Sequence, residues 1–258
     1  MSTRTEVPWG AVRRRVRITL AVSTRVLTQL RRDHRTVAML LLVPCLLMTL
    51  LWWMFDATSP EVFDRLGPGL LAMFPFIVMF LVTSVTTLRE RSSGTLERLL
   101  AMPMGKLDFL LGYAIAFGLV AAVQSALAVA VSVGLLGLEI VGPIWLLTLV
   151  AVADAVLGTA LGLFVSAFAR TEFQAVQFMP AVVIPQILLC GLFLPRSRMP
   201  EVLEAISDLL PLSYAVDAMQ SLTLTSDTAE VWQDLGVVAG FAVAVLGVGA
   251  ATLRRRTA

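Results

Sequence analysis

Six runs of mostly apolar residues, each matched to the thickness of a lipid bilayer, fill most of this 258-residue chain. A helix that crosses the hydrocarbon core needs about 20 such residues, in a range of roughly 17–25. The runs are Thr36–Phe55, about Leu66–Leu88, about Leu107–Leu136, about Pro143–Ala169, about Val176–Leu194 and about Leu235–Leu253. The third is long enough to start as a helix outside lipid. Pro44, Pro75, Pro180 and Pro185 lie within runs. Neighbouring helices can re-satisfy the backbone groups that a proline frees, so these positions predict kinks rather than ends. The first run begins only at residue 36 and is followed by Asp56-Ala57-Thr58-Ser59-Pro60, with no small-residue cleavage site. It reads as a retained span, not a signal peptide.

Composition removes the soluble alternatives. Hydrophobic residues make up 58% and charged residues 15%, and mean hydropathy is +0.86. A soluble domain carries roughly 25% charged residues, so this chain has too few to cover a water-facing surface. A soluble enzyme, a disordered chain and a nucleic-acid binder are all excluded. Net charge is +2 with a single histidine, His34, so no histidine-rich metal site is expected. His34 lies at the mouth of the first span and reads as an interfacial polar residue. Cys45 and Cys190 both sit in apolar runs and read as lipid- or core-facing thiols rather than a disulfide.

Basic residues set the orientation. Residues 1–35, the 89–106 connection, the 169–175 connection and the C-terminal segment together hold seventeen Lys and Arg; the alternate connections 56–65, 137–142 and 195–234 hold three. This asymmetry predicts that both termini and the 89–106 loop are cytoplasmic and that the 195–234 loop faces outward. The expected organisation is a cytoplasmic segment 1–35 followed by a six-helix transmembrane domain, 36–258.

The connections have structure of their own. On a helical wheel of residues 12–35, Val12, Val16, Leu20, Val22, Val26, Leu27 and Leu30 share one arc. Arg13, Arg14, Arg17, Arg25, Arg31, Arg32 and Arg35 fill the opposite one, with Arg15 the misfit. That is the pattern of an interfacial amphipathic helix, which either fixes topology or docks a cytoplasmic partner. Within 89–106, Gly94 and Pro103 bracket Thr95–Met102, a two-turn helix whose apolar face is Leu96, Leu99 and Leu100, flanked by Glu97 and Arg98. So short a helix is not stable alone, so the span ends or another protein must pack on it. In the 195–234 loop, Pro200 opens a helix carrying Val202, Leu203, Ile206, Leu209 and Leu210, and Pro211 ends it. Leu212, Ala215, Val216, Met219 and Leu222 trace a second stripe. These two short helices form either a re-entrant hairpin or a surface lid.

Little in the spans could carry chemistry. No phosphate-binding G-x-x-x-x-G-K-[ST] loop occurs: Leu107 stands where Ser or Thr should follow Lys106. The H-E-x-x-H, C-x-x-C and G-x-S-x-G motifs are also missing, so no catalytic residue and no metal site are assigned. Asp154 is the one carboxylate well inside a span, with Gln124, Gln177 and Gln186 as weaker polar positions. An intramembrane acid marks either a substrate path or a structural hydrogen bond. Gly158 and Gly162 allow close helix approach, within the bundle or at a dimer seam.

These elements, in this order, resemble the membrane subunit of ABC-2 type transporters, in the daunorubicin-resistance permease branch. The likeness rests on R-E-R-x-x-G-T-L-E-R-L-L-x-x-P at Arg89–Pro103, F-L-P-x-x-x-M-P at Phe193–Pro200 and L-P-L-S-Y-A-V-D-A-M at Leu210–Met219. Gln220 departs from the pattern, since the family often has Arg there. The resemblance implies an all-α ABC-2 (type V exporter-like) permease fold, with six transmembrane helices and an N-terminal interfacial helix. It implies that Glu90, Gly94, Thr95, Leu96, Glu97, Arg98, Leu99, Leu100 and Pro103 form the coupling segment that docks on a separate ABC ATPase. Arg13, Arg17, Arg31 and Arg32 would belong to the connecting helix beside it. Pro195, Pro200, Pro211 and Tyr214 would shape outer re-entrant helices. Asp154, Gln124 and Gln186 are candidates for a substrate path.

The expected function is export of a hydrophobic or amphiphilic cargo, a drug or lipid, across the plasma membrane. ATP and Mg would sit on the partner ATPase and no cofactor on this chain. A second permease subunit, identical or different, would complete the pair, set in membrane lipid. An intramembrane lipid-modifying enzyme and an ion-coupled secondary transporter are the alternatives; the first wants clustered polar residues at one depth, the second inverted repeats and several intramembrane charges.

Overall fold

A computed structural model describes residues 9–92, 106–169 and 171–252, all of whose regular structure is helical. The helices are α1 (Trp9–Arg32), α2 (His34–Asp56), α3 (Pro60–Ser92), α4 (Lys106–Gly134), α5 (Ile144–Ser166), α6 (Glu172–Leu189), α7 (Glu201–Ser207), α8 (Pro211–Leu224) and α9 (Ala229–Thr252), with a 3-10 turn at Arg196–Arg198. Six of them, α2 to α6 and α9, are long and apolar enough to cross a membrane. The six-span expectation is met, with several ends moved. The second span, α3, starts at Pro60, six residues before the apolar run, because proline is well suited to a first helical turn. The fifth span, α6, starts at Glu172, where the Thr171 hydroxyl accepts from Gln174 N at 3.1 Å, and stops before Gly191, whose φ is +89°. Pro44, Pro68, Pro75, Pro180 and Pro185 all lie inside continuous helices.

One residue separates α1 from α2. Asp33 leaves helical geometry and caps α2, its carboxylate accepting from Thr36 N at 3.1 Å and Thr36 Oγ1 at 2.7 Å. Those two hydrogen bonds hold the Asp33 carboxyl below its ordinary range. Thr19, Val22, Ser23 and Val26, spaced as one helical face, are buried. Val22 and Val26 join Leu40, Met79, Phe109, Tyr113 and Phe117 in a core at one end of the bundle. A Cβ on Gly112 of α4 would lie 2.7 Å from Val22 and 3.0 Å from the Thr19 carbonyl oxygen, so the missing side chain sets how closely α1 seats.

The central layer is α3 against α5, which run parallel in register. A Cβ on Gly158 would lie 2.4 Å from the Phe76 carbonyl oxygen, and one on Gly162 would lie 2.5 Å from that of Phe80. The small-residue stripe is therefore a seam inside this chain and not a dimer seam; small residues let two helix backbones approach where lipid gives no hydrophobic drive. Around that seam pack α4, α6, α8 and α9. By contrast α2 is peripheral: Leu40, Pro44 and Met48 face inward, while Met39, Leu42, Leu46, Leu50 and Trp53 are exposed. Trp145 and Trp232 meet with ring centroids 6.1 Å apart at the end of the bundle opposite α1. Trp52 and Trp53 close α2 at that same end, an arrangement suited to a membrane–water interface.

The loop expected at 195–234 is corrected in detail. Pro200 is the N-cap of α7 rather than its first residue, and α7 ends at Ser207, before Pro211. Pro211 opens α8 instead of closing α7. The reason is steric: the residue before a proline is pushed to extended backbone, as at Leu210 (φ −99°, ψ 118°), while proline itself fits a helix start.

Candidate functional site

At the α1 end, three long-range interactions converge beside the 93–105 connection. Glu90, in the last turns of α3, is buried and faces Arg25 of α1 at 3.6 Å. Its neighbour Arg89 makes a two-pronged ion pair with Glu172 at the start of α6, both bonds 3.0 Å. Leu88 packs with Ala169, Ala175 and Phe178 between these charges. The end of α3 is thus clamped to α1 on one side and to α6 on the other. Sequence reasoning placed Glu90 in the docking segment and missed both partners. Arg25 was one arginine among nine in the first 35 residues, and nothing in its spacing singles it out.

Gly94, Thr95, Leu96, Glu97, Arg98, Leu99, Leu100 and Pro103 lie outside the described residues. Arg13, Arg17, Arg31 and Arg32 are exposed on α1. Among the described residues, Arg25 alone of the α1 arginines makes an ion pair.

In the bundle interior, Asp154, Gln124 and Gln186 are all buried, the first two completely. Neither oxygen of Asp154 and neither amide atom of Gln124 has a hydrogen-bond partner among the described residues. Gln186 donates Nε2 to the Val182 carbonyl at 3.2 Å and leaves its own carbonyl unpaired. Ser125 Oγ donates to Ala151 O at 3.1 Å, which places Gln124 and Asp154 at neighbouring levels of the α4–α5 contact. Tyr113, Thr83 and Ser132 are further buried hydroxyls without a hydrogen-bond partner among the described residues, which sequence reasoning passed over. Gln177, in contrast, is exposed on α6. In this conformation Asp154 is sealed inside the chain.

At the opposite end, Arg196 organises the loop. Its guanidinium bonds both Asp208 and Asp217 and lies 5.0 Å from the centre of the Tyr214 ring. The Tyr214 hydroxyl donates to Asp208 O at 2.7 Å, and Ser207 Oγ donates to Leu189 O at 2.7 Å. Burial pushes the Asp217 carboxyl above its ordinary range despite the pull of Arg196. Burial works against the charge of Arg196 too, but bonds to and charges on Asp217 and Asp208 outweigh it and raise its pKa. Pro195 and Pro200 cap the 3-10 turn and α7, and Pro211 opens α8, the three short elements that this network ties together.

The inner face of α8 is wholly buried at Leu212, Ala215, Val216, Ala218, Met219 and Leu222. It is hung from the rest of the chain by Leu222 O, which accepts from Val141 N and Gly142 N at 3.1 and 2.8 Å. So the second predicted stripe is core, and α8 dips into the bundle instead of lying on it. The first stripe, by contrast, is exposed at Val202, Leu203, Ile206 and Leu209. Between α8 and α9 opens a cleft of about 430 Å³ lined by Asp217, Gln220, Glu230, Gln233 and Asp234.

Comparison with known proteins agrees with this architecture. The ABC-2 type transporter family profile matches residues 18–224. The chain is 31% identical over 157 residues to the inner membrane transport permease YhhJ of Escherichia coli K12, covering 60% of this chain and 42% of that protein. It is 27% identical over 177 residues to the probable multidrug ABC transporter permease YbhS of the same strain, covering 68% and 46%. ABC transporter G family member 20 of Dictyostelium discoideum is 25% identical over 201 residues, 77% of this chain and 28% of that protein. The chain thus spans less than half the length of each of these relatives. With its six apolar helices and a family match that runs from α1 to the end of α8, this multi-pass membrane protein belongs to the ABC-2 type transporter family.

Proposed function

We propose that this chain is the membrane subunit of an ATP-driven exporter, in the daunorubicin-resistance permease branch, that moves a hydrophobic or amphiphilic cargo out of the cell. ATP and Mg²⁺ are held by a separate ABC ATPase, and two permease subunits make the pathway. In this reading the α1 end and both termini face the cytoplasm, because seventeen of the twenty Lys and Arg lie in the connections at that end. The observation that carries the proposal is the path of α3. At 33 residues it is about 50 Å long and joins the 93–105 segment to the opposite end of the bundle.

A push on 93–105 enters α3 at Glu90 and Arg89, which hold α1 and α6 in step with it. The glycine seam passes that motion to α5. At the far end, a Cβ on Gly69 of α3 would lie 2.6 Å from Leu192 and 3.4 Å from Val216, so α3 bears directly on the re-entrant α8 and the chain before α7. A rigid element in contact at both ends is what mechanical coupling between a cytoplasmic motor and an outer exit requires.

The test is docking of the ATPase. Leu99→Ala with Leu100→Ala removes the apolar anchors, while Arg98→Ala removes only a rim charge. Truncating a buried interface anchor commonly costs about 2 kcal/mol or more and rim charges less, so the double variant loses more ATPase in pull-downs of solubilised complex. Normal insertion with full ATPase retention and full cargo-stimulated hydrolysis in the double variant refutes the assignment.

A further inference from the structure

α1 carries seven arginines and no acidic residue in 24 positions. The structure divides six of them, and the seventh, Arg15, is exposed about 30° from the buried line in the turn before it. Taking the buried line of Thr19, Val22, Ser23 and Val26 as zero and about 100° per residue, Val16, Leu27 and Leu20 fall on one flank at about 70–110°. Val16 and Leu20 are each 51% exposed. Arg13, Arg31 and then Arg17 border that flank at about 130–170°. Arg14 and Arg32 stand on the other edge, on the side of Arg25, which is the arginine that reaches Glu90. One edge therefore sets an exposed apolar strip directly beside guanidinium groups that make no ion pair among the described residues; the other faces the clamp at the end of α3.

We propose that the Val16–Leu20 edge of α1 holds anionic membrane lipids, its apolar strip against the acyl chains and Arg13, Arg17 and Arg31 on the headgroup phosphates. Arg13 and Arg17 are one turn apart and close enough to share one phosphate. Arg31 is about 27 Å further along the helix axis and takes a second. Guanidinium matches phosphate with paired parallel hydrogen bonds. Among the described residues no carboxylate pairs with Arg13, Arg17 or Arg31, and the one acidic group close to α1 in the chain that is described, Asp33, has its carboxylate committed to Thr36. Lipid is favoured over a protein partner for this edge because the arginines sit beside exposed Val and Leu. A charge-reading protein surface would bury the arginines and leave the apolar strip uncovered. The inference rests on the position of α1 at the bundle end and not on the cargo or on the 93–105 docking segment.

The experiment is native mass spectrometry of the full-length chain with equal concentrations of phosphatidylglycerol and phosphatidylcholine. Wild type is expected to retain phosphatidylglycerol in preference, at up to two molecules per chain. Arg13→Gln with Arg31→Gln lowers that preference by about fivefold for each arginine removed, and high salt lowers it similarly in wild type. Arg14→Gln with Arg32→Gln leaves it unchanged. The Arg13→Lys and Arg31→Lys pair keeps the charge and retains most of the preference, which separates loss of binding from misfolding. No preference in wild type, equal loss in the Arg14 and Arg32 pair, or total loss in the lysine pair overturns the proposal. So does a result in which the Arg13 and Arg31 glutamine variant keeps its lipid but releases the ATPase, since the edge then belongs to the protein partner.

Discussion

Replacing Gly158 with alanine should destabilise this protein, although alanine is the better helix former by about 1 kcal/mol. The added Cβ would stand 2.4 Å from the Phe76 carbonyl oxygen and 3.1 Å from the carbonyl carbon, both backbone atoms that no rotamer change can move. Ordinary contact begins near 3.4 Å, so α5 must back away from α3 by about 1 Å. Overpacking of a tight interior costs about 1–3 kcal/mol, which outweighs the propensity gain. For a chain of this size the midpoint of thermal unfolding falls by about 2–4 °C per kcal/mol. Gly162→Ala meets Phe80 O at 2.5 Å one turn further on and should behave alike. The double variant should cost less than the sum, because one separation of the helices relieves both clashes. Fluorescence-detected size exclusion of heated, solubilised protein measures the shift. Gly236 and Gly240 of α9 have nothing within 4 Å, so alanine there is neutral or mildly stabilising. If Gly158→Ala is as stable as Gly240→Ala, the seam is not close-packed and its part in transmission fails with it.

Three further outcomes are expected. A Ser226→Cys variant, with Cys45 and Cys190 replaced, is labelled from outside intact cells; labelling only after lysis reverses the orientation. Arg25→Gln and Glu90→Gln are non-additive in thermal stability, with a coupling of about 0.5–3 kcal/mol as for residues in one network; strict additivity means the 3.6 Å pair contributes nothing. Asp154→Asn inserts and folds as wild type does and keeps its ATPase, but transports less. Unchanged transport in that variant removes Asp154 from the cargo path.

Hydropathy alone determined that this chain carries six helices long and apolar enough to cross a membrane, because a bilayer demands a length and a polarity that are local properties of each run. The N-terminal amphipathic helix was legible from its periodicity, also a local property, but only part of its apolar arc is buried: Val22 and Val26 pack inward beside Thr19 and Ser23, while Val16 and Leu20 stay exposed. Which faces meet was not legible. Gly158 and Gly162 announced a close contact, but only the fold assigns it to Phe76 and Phe80 of the same chain rather than to a second copy. Apolar helices in lipid present nearly equivalent surfaces, so the pairing depends on the shape of the whole bundle. The charged contacts were further out of reach: Arg89 meets Glu172 across 83 residues and Arg196 meets Asp217 across 21. Ion pairs leave no periodic trace, and their partners are chosen by how the ends of α1, α3, α6 and α8 are brought together. Leu212, Ala215, Val216, Met219 and Leu222 read the same way in sequence as Val202, Leu203 and Ile206, one amphipathic stripe after another. The tertiary structure buried the first set and exposed the second, because Pro211 turns the chain inward and the backbone bonds to Leu222 hold it there.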